Sequence, residues 1–108
     1  MEKRKYIRKK IKVMIDFMDG SDMEIGYTKD IAVGGVFIET ERVVRPGSIV
    51  FVDFYMPGIK KKLKLKGKVI WVEESKAIGQ YKTAGMGIEF LDINESIKLD
   101  LKKGINNI

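Results

Sequence analysis

Arg4 and Arg8 are the side chains of this sequence best equipped to grip an anion. They are two of only four arginines among 21 basic residues, and three positions separate them. A planar guanidinium can hold a phosphate or a guanine edge at two points, which a lysine cannot imitate. The second stretch of interest is Asp30-Ile31-Ala32-Val33-Gly34-Gly35-Val36-Phe37-Ile38. Two adjacent glycines between an acidic residue and a run of strand formers suit a backbone that takes positive φ or is approached closely, as in a tight turn or a ligand seat. The chain has no Cys and no His, which removes disulfides, thiolate nucleophiles, imidazole bases and the usual zinc sites together. No paired carboxylates, no serine with a base and no metal cluster can be assembled from the spacing of what remains. The expectation is a binding protein rather than an enzyme, with neither metal nor cofactor.

The elements that must position these residues follow from charge and periodicity. Residues 3–12 hold seven basic groups and no acid, one more than the entire net charge of +6, which leaves the rest of the chain at −1. The positive field is therefore local, on a basic and mobile arm expected over residues 1–10, and a nucleic-acid footprint spread over a face of the fold is not expected. A length of 108 residues, 44% apolar and 33% charged, fits one domain over residues 11–108 that buries roughly 65% of its unfolded surface. The charged start and the lack of any run of ~18 apolar residues point to the cytoplasm and away from a membrane.

From Ile11 the apolar residues alternate through Val13, Ile15 and Phe17, a strand with one buried face. Asp19-Gly20-Ser21-Asp22 reads as a hairpin turn, Met23 to Asp30 as the returning strand with Ile25 and Tyr27 on one side, and Val36 to Glu39 as a third strand. Pro46-Gly47 closes a loop, and Ile49 to Met56 is apolar enough for a strand buried on both faces or bridging two sheets. Lys62 to Glu74 is the longest strand candidate; Leu63, Leu65, Gly67, Val69 and Trp71 share its inner side by parity, Lys64, Lys66 and Lys68 its outer side, and Gly67 marks a bulge or bend. Ser75 to Thr83 reads as a loop and Ala84 to Leu91 as the sixth strand. A short helix over about 92–103 follows, capped by Asp92 or Asn94 and stopped by Gly104. The fold class is all-β: a six-stranded antiparallel barrel with a short C-terminal helix that plugs or flanks it.

Arg4-x-x-x-Arg8, Asp30-x-Ala32-x-x-Gly35 ahead of Val-Phe-Ile, Gly67-x-Val69-x-Trp71 and Gly85-Met-Gly87-Ile-Glu-Phe90 occur in an order and separation that resemble a PilZ domain over essentially the whole chain. The resemblance implies a bacterial signalling barrel whose ligand is cyclic di-GMP. Arg4 and Arg8 would contact phosphates and a guanine edge, with Lys3 and Lys5 adding a field. Asp30 would accept from guanine N1 and N2, and Gly35 would keep the turn open. Ala32 departs from the pattern, which has Ser there. If that hydroxyl makes one hydrogen bond to the ligand, its loss costs roughly 0.5 to 3 kcal/mol, depending on the charge of its acceptor. The resemblance thus implies a cyclic di-GMP receptor that orders its arm on binding and regulates an effector protein, in motility or biofilm formation. The alternative is a PilZ-like interaction module of pilus, motility or surface-polysaccharide machinery that has lost the ligand. A third reading, an oligonucleotide barrel using the lysine row, lacks the interleaved aromatics such a groove wants.

Overall fold

The computed structural model describes residues 8–76 and 82–108. It contains seven strands, β1 (Lys9–Lys10), β2 (Met14–Asp19), β3 (Asp22–Ala32), β4 (Gly35–Glu39), β5 (Ile49–Phe54), β6 (Leu63–Lys76) and β7 (Lys82–Leu91), and one helix, α1 (Glu95–Asn106). Every pairing is antiparallel, in the order β3-β2-β5-β6-β7-β4, and β4 pairs back onto β3. Six strands thus close a barrel with no free edge around the ring. The seventh, β1, was expected within the arm; instead Lys9 and Lys10 pair with Ile31 and Asp30 and continue the side of β3 that β2 covers.

Alternation builds the core. Ile15 and Phe17, Val36 and Ile38, Val50, Val52 and Phe54, Leu63, Leu65 and Val69, and Met86, Ile88 and Phe90 converge inside the barrel. Thr28 is the one buried polar side chain among the described residues; its hydroxyl donates to Ile11 O at 2.6 Å and accepts from Val13 N at 2.8 Å. That pair of bonds pins the irregular link from β1 to β2, where the alternation read from Ile11 had suggested uninterrupted strand. The Asp19–Asp22 hairpin forms as expected, with Gly20 at φ +64°.

Four expectations are corrected by the packing. β5 is buried on one face only, since Ile49 and Phe51 point outward. Ile25 and Tyr27 share a side of β3 as expected, and that side is exposed. Gly67 faces inward, where a Cβ would meet the Ile88 side chain, and the bulge lies further on, between Val69 and Trp71. The strands flanking the expected loop are longer: β6 runs to Lys76 and β7 begins at Lys82. Gly104 does not stop the helix; it is buried inside α1, where its missing side chain lets Met56 pack against the helix backbone. Asn94 is the N-cap, accepting from Ile97 N at 2.8 Å, while Leu101 and Ile105 join the core and Asn107 Nδ2 donates to Pro57 O at 3.0 Å. No helix among the described residues is long and apolar enough to cross a membrane.

Candidate functional site

The end of β3 turns at Val33-Gly34 into β4, and β7 lies against β4, so that three strands present one outward corner of the barrel. Phe90 N donates to Gly34 O at 2.9 Å and holds the turn against β7. Neither Gly34 nor Gly35 has positive φ; the described glycines that do are Gly20, Gly47 and Gly58. Gly35 is needed for close approach instead, because a Cβ there would collide with the Ile88 carbonyl of the neighbouring strand. Its partner in the strand register across β3–β4 is Ala32, 2% exposed on the floor of the same corner.

Outside that corner is an open cleft of about 960 Å³, lined by Arg8, Asp30, Ala32 and Gly35 together with side chains from β6, β7 and the start of α1. Arg8 Nε and Nη2 both donate to Asp30 Oδ1, at 2.9 and 2.6 Å. The pair is about 30% exposed on each side, which holds its contribution to stability to about 0.5–1 kcal/mol. Two N–H groups converge on a single oxygen, so Asp30 Oδ2 and Arg8 Nη1 lie outside the pair. Arg4 lies outside the described residues, as do Lys3 and Lys5.

The aromatic wall of the cleft was missed by parity. The bulge leaves Val69 opposite Ile88 and Trp71 opposite Gly87, so Ile70 and Trp71 both face outward. Trp71 was expected in the core and is 45% exposed; its ring centre lies 5.0 Å from that of Phe37, at 34°. The two rings rest on glycines of β7: a Cβ on Gly87 would meet the Trp71 indole, and one on Gly85 the Phe37 ring. The sequence signal for this wall was Gly85-x-Gly87 itself, two outward positions without side chains that need aromatic cover. Lys29 Nζ stands 5.7 Å above the Phe37 ring.

Electrostatically the described lining is close to balanced, with Arg8, Lys29 and Lys98 against Asp30, Glu73, Glu89 and Glu95. Such a seat suits a ligand that offers N–H donors and aromatic faces, and phosphates held there need cations from elsewhere in the chain. No group of three side chains able to hold a metal ion occurs among the described residues. The lysine row of β6 is not a bare basic groove: Asp53 stands opposite Lys64 and Glu89 opposite Lys68, and Lys66 pairs with Asp92 at 3.5 Å.

A family model described as the PilZ domain matches residues 2–106. Among solved structures, the PilZ domain of Escherichia coli YcgR with cyclic di-GMP is 15% identical, with a TM-score of 0.80 over 97% of this chain and 90% of that one. Bacillus subtilis MotI/DgrA, an inhibitor of motility, is 13% identical, with a TM-score of 0.79 over 98% of this chain and 51% of its own. The complex of K. pneumonia MrkH with cyclic di-GMP is 11% identical, with a TM-score of 0.74 over 95% of this chain and 51% of that one. This chain spans about half the length of the last two. At these identities the likeness is one of fold. No curated protein matches the sequence significantly.

Proposed function

The chain belongs to the PilZ domain family, and we propose that it is a cyclic di-GMP receptor of the cytoplasm that closes the segment ahead of Lys9 over its ligand and so changes the surface offered to a partner protein. The observation that carries this reading is the gathering of Arg8, Asp30, Ala32 and Gly35 on one cleft walled by Phe37 and Trp71. The ligand has two guanines and two phosphates. Asp30 accepts from guanine N1–H and N2–H, Arg8 turns from Asp30 to a phosphate or guanine edge, and Arg4 supplies the second fork, with Lys3 and Lys5 adding a salt-screened field. Opening the Arg8–Asp30 pair forfeits about 0.5–1 kcal/mol. Each charge-assisted bond made to the ligand returns about 1.5–3 kcal/mol, so the exchange favours binding. YcgR and MrkH, both solved with cyclic di-GMP, support the choice of ligand. The domain is a receptor, and no step of catalysis is assigned to it.

Isothermal titration calorimetry on the full chain tests the reading. Saturable binding is expected, weakened at least tenfold by Arg8→Ala or Asp30→Ala; no heat from the wild-type protein at high micromolar ligand refutes it. Ala32, in place of the family's Ser, favours a second reading, an interaction module without ligand. In that case partner binding would be indifferent to the nucleotide.

A further inference from the structure

The side of the barrel formed by β3, β2 and β5 turns an apolar surface to solvent. Its inward neighbours Ile15, Phe17, Val52 and Phe54 are buried at 0–2%, which fixes the intervening residues outward. Strand register arranges those residues in three rows: Tyr27 with Met14; Ile25, Asp16 and Asp53; and Met23, Met18 and Phe51. Met14, Met23, Ile25 and Phe51 are each 55–60% exposed. Scattered apolar residues on a surface need no explanation, whereas a contiguous set over three strands marks an interaction site, and three methionines make it an adaptable one.

The middle row gives the surface its specificity. Asp16 and Asp53 face each other directly across β2 and β5, an arrangement of like charges that destabilises a sheet. Neither forms an ion pair among the described residues; Lys64 stands opposite Asp53 on its β6 side, while Asp16 faces only Ile25 and Asp53. A partner cation set between them would relieve the repulsion, with the apolar rows lying about 7 Å to either side along the strands. In a helix laid along the strands, residues four apart rise about 6 Å, which matches that spacing. β2, β3 and β5 are each paired on both sides, so strand addition at an edge is not available here. A second copy related by a two-fold axis through the patch would set carboxylates against carboxylates.

We infer that this face docks an amphipathic helix of another protein, one presenting a single Lys or Arg with apolar side chains one turn before and one turn after it. The inference does not rest on the cleft binding cyclic di-GMP, which lines a different part of the barrel.

Selection from a displayed library of 15-residue helices against the full chain, in the absence of cyclic di-GMP, tests it. Enriched helices are expected to carry a central Lys or Arg between apolar residues. A synthetic peptide of the enriched sequence should shift the amide resonances of β2, β5 and residues 23–27 of β3 and leave Arg8 and Asp30 unmoved. It should bind at least tenfold more weakly to the Asp16→Asn/Asp53→Asn variant, while Asp16→Asn alone, which leaves Lys64 opposite Asp53, should melt about 1 to 4 °C higher than wild type. The inference is overturned by an absence of enrichment, by helices lacking the cation, by shifts elsewhere, by undiminished binding to the double variant or by a lower melting temperature for Asp16→Asn. Self-association that is abolished by Phe51→Ser would overturn it in favour of a second copy. Failure here leaves the receptor reading standing, and a silent calorimetric titration leaves this inference standing.

Discussion

Removing the indole of Trp71 should separate its role as cover for the glycines of β7 from the role that the proposed receptor would give it, a wall for a bound base. At 45% exposure, a little over half of a side-chain surface of ~250 Å² is covered, or ~140 Å². At ~25 cal/mol per Å² that is ~3.5 kcal/mol, reduced to roughly 2–3 kcal/mol by burial already present in the unfolded chain. Trp71→Ala is therefore expected to lower the melting temperature by about 10 °C or more, and Trp71→Phe by much less. Base stacking on an aromatic is worth about 1–3 kcal/mol, so Trp71→Ala should weaken cyclic di-GMP binding by about 5- to 150-fold, with Trp71→Phe intermediate. Calorimetry at a temperature well below both melting points gives the affinities. Because Trp71 is the single tryptophan of the chain, its fluorescence in the wild-type protein reports occupancy directly. Affinities within twofold of wild type for both variants, or unchanged fluorescence at calorimetric saturation, would refute the placement of a base against this wall.

Ala32→Ser should tighten binding by about 2- to 13-fold, the value of one hydrogen bond of about 0.5–1.5 kcal/mol; an unchanged or weaker calorimetric affinity would show that the ligand does not reach position 32. Gly35→Ala should lower stability by about 1–3 kcal/mol in urea titration, because its Cβ meets the Ile88 carbonyl, which belongs to backbone and cannot swing aside. Gly87→Ala meets the Trp71 ring instead, so it should change the tryptophan emission and weaken the ligand while costing less stability than Gly35→Ala.

Much of the barrel was legible because its signals are local. Alternation at Ile15 and Phe17, the Asp19–Asp22 turn and the run from Val36 to Glu39 each specify a piece of strand without reference to distant residues. Of the site residues read from the sequence, Arg8, Asp30, Ala32 and Gly35 lie on one cleft, since the resemblance had already carried the pairing of two distant motifs. What stayed hidden was long-range. Parity along β6 assumes an unbroken register, and one extra residue opposite Ile88 and Gly87 reverses the face of everything beyond it. Gly104 looks like a helix stop until Met56 is known to fill the space beside it. Ile25 and Tyr27 have the character of core residues, but the barrel needs the narrow positions of Gly26 and Thr28 inside instead.

The two residues of β1 have a kinetic consequence for the rest of the N-terminal segment. Pairing of Lys9 and Lys10 with Ile31 and Asp30 ties the chain down at the rim of the cleft, and a span of four extended residues reaches at most about 14 Å. One guanidinium confined to a sphere of that radius has an effective concentration on the order of 0.1 M. In the proposed receptor, capture of a ligand by Arg4 would then be intramolecular once the barrel holds a base. Variants that lengthen the span between residues 4 and 8 should dilute that guanidinium and speed dissociation, with the seat on the barrel left unaltered.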